Sequence, residues 1–187
     1  MIRTILPFAT LLALGACALP PPPQSASLPA DAVVGAGDPL RSAISNTSFA
    51  FSSQSQLNGH PAQAARAVAQ MEWLAVEMPT NPRLTDVSPT VISQMQAARG
   101  EWRMALGIPA GALAQPVIDS LYAAARALSS GQDGAAAAAL PVALFPQGGQ
   151  ATLTRLAALP GLPLTNLAAV GATDALSQRD LNSRSRL

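Results

Sequence analysis

Cys17 is the only cysteine of the chain and His60 its only histidine. One thiol closes no intramolecular disulfide and builds no thiolate metal cluster. One imidazole supplies no His pair, no Cys/His cluster and no HExxH spacing, so a conventional zinc site is excluded. A Ser-His-Asp triad would have to use His60, which lies between Gly59 and Pro61, and no G-x-S-x-G elbow accompanies it. His60 therefore reads as a surface or capping residue in a turn. The glutamates are Glu72, Glu77 and Glu101. Glycosidic cleavage ordinarily needs two carboxyls at a set separation. Glu72 and Glu77 stand five apart on one expected helix and diverge in direction, and Glu101 is flanked by Gly100 and Trp102. Solvated helix faces are the expected setting for all three. Gly131-Gln132-Asp133-Gly134 lacks the Gly-Lys-Ser/Thr of a phosphate loop, and Gly148-Gly149 reads as a turn. No catalytic residue, cofactor or metal ligand is assigned.

Recognition chemistry has better candidates. Trp73 falls beside the apolar stripe of its helix, where half-buried packing competes with a role as an exposed partner anchor. Arg99 and Arg103 are one helical turn apart and could clamp an anion or a carboxylate, although a pair on a solvated face is the preferred reading. Trp73, Arg99 and Arg103 are the candidate interface residues. Trp102 lies on an apolar stripe and is expected in the core.

The elements that must position these residues are helical. Hydrophobic residues make up 49% of the chain, a fraction raised by Ala, and aromatics only 4%. Ala is the best helix former and buries little area, so closely approaching helices over a thin core are expected. Asp38-Pro39 opens a first helix over residues 38–57, an N-cap followed by proline at the first helical position. A second helix covers 61–78, with Ala64, Val68, Met71, Ala75 and Met78 as one apolar stripe. A third runs over 88–106, with Val91, Met95, Ala98, Trp102 and Ala105 as its stripe and Gln96, Arg99 and Arg103 away from it. A fourth covers 115–128, where Val117, Leu121, Ala124 and Leu128 face the core. Asp133 caps a short Ala run over 135–140, another helix spans 150–159, and residues 165–181 are helical but weakened at Gly171. No strand or hairpin signal appears. The expected fold is all-α: an irregular bundle of antiparallel hairpins with about five to seven helices, residues 38–187, ending in a frayed tail around Arg184 and Arg186. The stretch from Gly59 to Pro82 resembles the second helix of a tetratricopeptide-type repeat, but the chain shows no clean internal period.

The N-terminus reads as an address. Arg3 is followed by an apolar run, residues 4–16, with Ile5, Leu6, Phe8, Leu11, Leu12 and Leu14, then by small residues before Cys17. A membrane-spanning helix needs roughly 20 apolar residues, and the Pro20 to Pro23 block stops this run short. Ala16-Cys17-Ala18 also fits ordinary signal cleavage, but prolines would crowd that cut. Leu14-Gly15-Ala16-Cys17 resembles the lipobox of bacterial lipoproteins. The resemblance implies cleavage between Ala16 and Cys17 and lipidation of Cys17, hence a membrane anchor. By resemblance to enteric lipoprotein sorting, Ala18, not being acidic, favours the outer membrane, facing the periplasm, over the inner membrane or secretion. Residues 17–37 then form a disordered Pro-rich tether, since four prolines favour extended polyproline II and Gln24-Ser25-Ala26-Ser27 is polar.

All 11 basic residues are Arg, set against 10 acidic ones, for a formal net charge of +1. A near-neutral surface predicts no electrostatic attraction to nucleic acid or anionic lipid. The expected partners are the lipid bilayer, through acylated Cys17, and a protein of the envelope. The expected function is that of a non-enzymatic adapter or envelope-assembly factor. The alternatives are a peptidoglycan-binding or peptidoglycan-active lipoprotein, with Glu101 as the best candidate acid, and a carrier of a small apolar ligand between Ala-rich helices.

Overall fold

A computed structural model describes residues 24–33, 37–84 and 87–185. The signal segment, Cys17, the Pro20 to Pro23 block and Arg186 lie outside the described residues. Within them the chain folds into seven α-helices: α1 (Pro39–Phe51), α2 (Pro61–Glu77), α3 (Pro89–Leu106), α4 (Ala114–Ser129), α5 (Asp133–Ala138), α6 (Gly149–Ala157) and α7 (Pro163–Arg184). Three single 3₁₀ turns accompany them and no strand is present among the described residues.

The starts of α1, α2 and α3 follow from their prolines. Pro39, Pro61 and Pro89 occupy the first helical position, where the missing N–H costs nothing. The Asp38 carboxylate accepts from Leu40 N at 3.0 Å, and Ser88 Oγ from Val91 N at 3.4 Å. α3 stops at Gly107, which takes φ +70° and receives the helix end in the left-handed region.

Helix α2 is the centre of the molecule. It packs on α4 most extensively, and also on α1, α3 and α6. Its expected stripe is buried, but burial goes further and takes in Ala65, Ala67, Ala69, Gln70, Glu72 and Trp73. A helix surrounded on most sides is a core helix. The alanines make this possible, because their short side chains let several neighbours approach at once. Trp102, Tyr122 and Phe145 fill the space between helices and are essentially inaccessible to solvent.

Several expectations are corrected. α1 ends at Phe51, six residues early. Ser52 Oγ donates to Phe49 O at 2.7 Å and Ser53 Oγ meets Ser55 Oγ at 2.9 Å, so the serines satisfy the backbone locally and end the helix. α7 begins at Pro163 and reaches Arg184. Gly171 does not weaken it: a Cβ there would lie 3.2 Å from Gln94 Oε1 and 3.7 Å from the Val91 methyls, so the glycine is where α3 and α7 approach closely. Asp133 sits inside the first turn of α5, and Gln132 holds the cap position. The successive-hairpin arrangement is also incomplete. The most extensive pairings after α2 with α4 are α3 with α7 and α1 with α2, because the small-residue surface of α2 accepts α4 directly.

The tether is corrected too. Residues 24–33 form a strap packed on α2, α3 and α4. Gln115 accepts from Ser27 N at 2.7 Å and returns a bond from Nε2 to Ser27 O at 3.2 Å. Arg126 holds Asp31 through two 2.7 Å bonds, and Ala32 is buried. The packed unit therefore begins before residue 38. The fastening uses side-chain amides on backbone groups, which leave no hydrophobic period in the sequence.

Gly149, at the start of α6, marks the tightest approach in the fold. A Cβ added there would stand 1.9 Å from Ala137 O in α5. The obstacle is backbone and cannot rotate away. Gly149→Ala is expected to cost about 3 kcal/mol, the upper end of the overpacking range. A urea-denaturation midpoint equal to that of the wild type would refute this.

Candidate functional site

The three candidate interface residues come together, but inward. Arg99 and Arg103 lie one turn apart on α3 and both point at Glu72 of α2. Arg99 Nε and Nη2 donate to Glu72 Oε1 at 2.9 and 2.6 Å. Arg103 Nε donates to Oε2 at 3.1 Å, and Arg103 Nη2 also pairs with Oε1. Trp102 Nε1 adds a 2.9 Å bond to Oε2. The carboxylate clamp that the Arg spacing suggested exists, and the chain supplies its own carboxylate. The solvated-face reading of this pair and of Glu72 is overturned, since the Glu72 side chain is 0% exposed, Arg103 5% and Arg99 16%.

Both arginines have further duties. Arg103 Nη1 donates to Pro109 O and Ala110 O at 3.2 and 2.8 Å, and Nη2 to Ala112 O at 3.0 Å. With the two bonds to Glu72, all five of its N–H donors are used, and the α3–α4 loop is fixed. Arg99 Nη2 reaches Gln24 Oε1 at 3.0 Å, and the same oxygen accepts from Ala114 N at 3.2 Å. Trp73 is buried beneath the strap, where its Nε1 donates to Ala26 O at 3.2 Å. The group that Trp73 and Arg99 recognise is thus residues 24–26 of the same chain.

The electrostatics of the cluster follow from this geometry. Burial pushes the Glu72 carboxyl up, but hydrogen bonds from Arg103 and then Arg99 outweigh it and hold it below the ordinary value. The carboxylate stays ionised with its lone pairs occupied, which is the opposite of what a general acid needs. Glu101 is occupied as well. It accepts from Leu164 N at 3.1 Å, Thr165 N at 2.8 Å and Thr165 Oγ1 at 2.6 Å, capping an α7 start that has no side-chain cap of its own. Glu77 accepts from Asn81 Nδ2 at 2.8 Å. His60 stands exposed at the cap position of α2 and makes no side-chain cap bond. Among the described residues, no group of three or more His, Cys, Asp or Glu side chains gathers, and no helix is long and apolar enough to cross a membrane.

The outer side of α7 has a different character. Leu164, Leu167, Val170 and Leu181 are 44%, 48%, 44% and 64% exposed. Leu167 and Val170 are three apart, and Leu181 follows Val170 by 11 residues, about three turns, so these three share a face. A shallow groove of about 430 Å³ runs beside them, lined by Val91, Gln94, Leu167, Val170 and Asp174 among others. The low apolar periodicity of α7, broken by Asn, Thr, Ser and Gly, hid this face in the sequence.

Compared with known proteins, the chain matches no family model, no curated protein and no solved structure.

Proposed function

We propose that the chain is a lipid-anchored envelope lipoprotein whose helical domain is a non-catalytic adapter, docking another protein on the outer face of α7. The observation that carries this reading is the row of exposed Leu and Val side chains on that helix. Exposed apolar residues grouped on one face mark interaction sites, whereas scattered ones need no explanation. The carboxyls that could have served hydrolytic chemistry cap a helix or balance two arginines, which argues against the peptidoglycan-active alternative.

The anchor rests on the lipobox-like Leu14-Gly15-Ala16-Cys17, and Ala18 favours the outer membrane. The strap adds a distance. Gln24 is fixed to Arg99 and Ala114, and only seven peptide steps separate it from Cys17. Seven extended residues reach about 25 Å. A lipid on Cys17 would therefore hold the α3–α4 end of the domain close to the headgroups, not at the end of a 20-residue leash.

The test is a photo-crosslinking residue at position 167 in cells. One discrete adduct with an envelope protein is expected, weakened in Cys17→Ser and abolished by Val170→Asp, while labelled palmitate is incorporated into the wild type and not into Cys17→Ser. An adduct that Val170→Asp leaves unchanged, or no adduct at all, would sink the adapter reading. Equal label in Cys17→Ser would sink the anchor.

A further inference from the structure

On the side of the molecule walled by α1, α2, α4 and the strap lies a cavity of about 220 Å³. Its lining sets several polar side chains among apolar ones. Asn46 comes from α1, Gln56 from the following turn, Gln63, Arg66 and Gln70 from α2, and Tyr122 from α4. Phe49, 65% exposed, stands at its edge, with Ala50, Leu57 and Ala67 as further apolar wall.

Two observations point to a ligand. The first is Tyr122, which is 1% exposed, yet whose hydroxyl has no hydrogen-bond partner among the described residues. A buried hydroxyl without a partner is costly and calls for a reason. Gln70 is the side chain placed to bond this hydroxyl, yet no atom among the described residues meets it with hydrogen-bond geometry. Burial pushes the phenol up, so it remains protonated and offers an O–H donor. The second is charge. Asp31, the carboxylate in this lining, is already held by Arg126 through two 2.7 Å bonds, whereas among the described residues Arg66 reaches only the Ser129 hydroxyl, at 3.1 Å. Among the described residues, Arg66 is the guanidinium of this lining without an ion pair of its own, and so the cation open to an incoming anion. The amides are lightly committed: Gln70 Nε2 to Ala32 O and Asn46 Nδ2 to Ser42 Oγ both stand at 3.5 Å, the outer limit of a hydrogen bond.

We propose that this cavity binds a small carboxylate carrying a neutral amide, of the class of N-acylated amino acids. The carboxylate would sit between Arg66 and the Tyr122 hydroxyl. The amide group would exchange donor and acceptor bonds with Gln63, Gln70 and Asn46, and the small apolar part would lie against Ala50, Ala67 and the Phe49 ring. A site of this size holds a single residue-sized molecule. The proposal is independent of the anchor and of the α7 face.

The experiment uses the full-length chain with N-acetylalanine and N-acetylalaninamide as probes, followed by amide chemical shifts and by the melting temperature of each variant. Saturable shifts confined to residues of the cavity are expected for N-acetylalanine. The neutral amide should bind at least tenfold more weakly. Arg66→Gln should weaken the carboxylate tenfold or more and Tyr122→Phe about threefold. Tyr122→Phe also tests the premise without ligand, since deleting a hydroxyl that has no partner should leave the melting temperature unchanged or raised. Equal affinity for acid and amide, shifts that both variants leave intact, no saturable shift, or a lowered melting temperature in Tyr122→Phe would each overturn the proposal.

Discussion

Glu72→Gln is expected to destabilise the fold by about 3–5 kcal/mol, the range for removing one partner of a buried ion pair. Domains of this kind have about 5–15 kcal/mol in all, so the variant should sit near the edge of folding. The reason is charge as much as bonding. Glu72 is wholly buried and is the shared counter-charge of Arg99 and Arg103. Glutamine keeps the shape but leaves two guanidinium groups in the interior with no anion. The arginines should rank unequally. Arg103→Gln should be the more severe, because it also releases Pro109, Ala110 and Ala112. Arg99→Gln should be milder, since its side chain keeps some solvent and Arg103 still neutralises Glu72. The pH dependence has a definite sign. The folded carboxyl lies below the ordinary glutamate value of 4.5, so its contribution is complete above that value and fades as pH falls through the depressed folded value. Wild type should therefore lose stability in acid more steeply than Glu72→Gln. Chemical denaturation between pH 7 and pH 3 checks both points, and parallel pH profiles for the two proteins would refute the assignment.

What could be read from residue order and what could not divide along physical lines. Local rules placed α2 and α3 almost to the residue, because Pro61, Pro89, Ser88 and Gly107 act through the backbone beside them. The same rules misjudged α1, where the serines near Phe51 favour a turn over another helical turn. The four-residue spacing of Arg99 and Arg103 allows a carboxylate clamp, but by itself it favours a solvated face. Its anion could not be identified, because Glu72 lies 27 and 31 positions away and meets them only through the rotation of α2 against α3. The strap was read as a spacer for a related reason. A segment fastened by Gln24, Gln115 and the Trp73 indole leaves no periodic trace, and its composition is that of a linker. Tyr122, beside the apolar stripe of α4, shows its missing partner only when the neighbouring helices are in place.

Trp102→Ala should cost as much as the loss of the ion pair, about 3–5 kcal/mol, the range for truncating a buried large aromatic. The indole is 0% exposed and belongs to the core that α3 shares with its neighbours. Its removal leaves a cavity in that core. It also removes the Nε1 donor to Glu72 Oε2, so the two costs are not independent. Trp102→Phe separates them. Phenylalanine keeps most of the packing but lacks the N–H, so this variant should lose only part of the effect, with a hydrogen bond to a charged group accounting for about 1.5–3 kcal/mol. Combined with Glu72→Gln, the Trp102→Phe penalty should shrink, because the carboxylate that the indole served is gone; residues in one network couple by about 0.5–3 kcal/mol. Additive losses in the double variant would show that Trp102 acts by volume alone. Coupling would show that the polar centre and the core around it are one structural unit, on which the strap and the α3–α4 loop both depend.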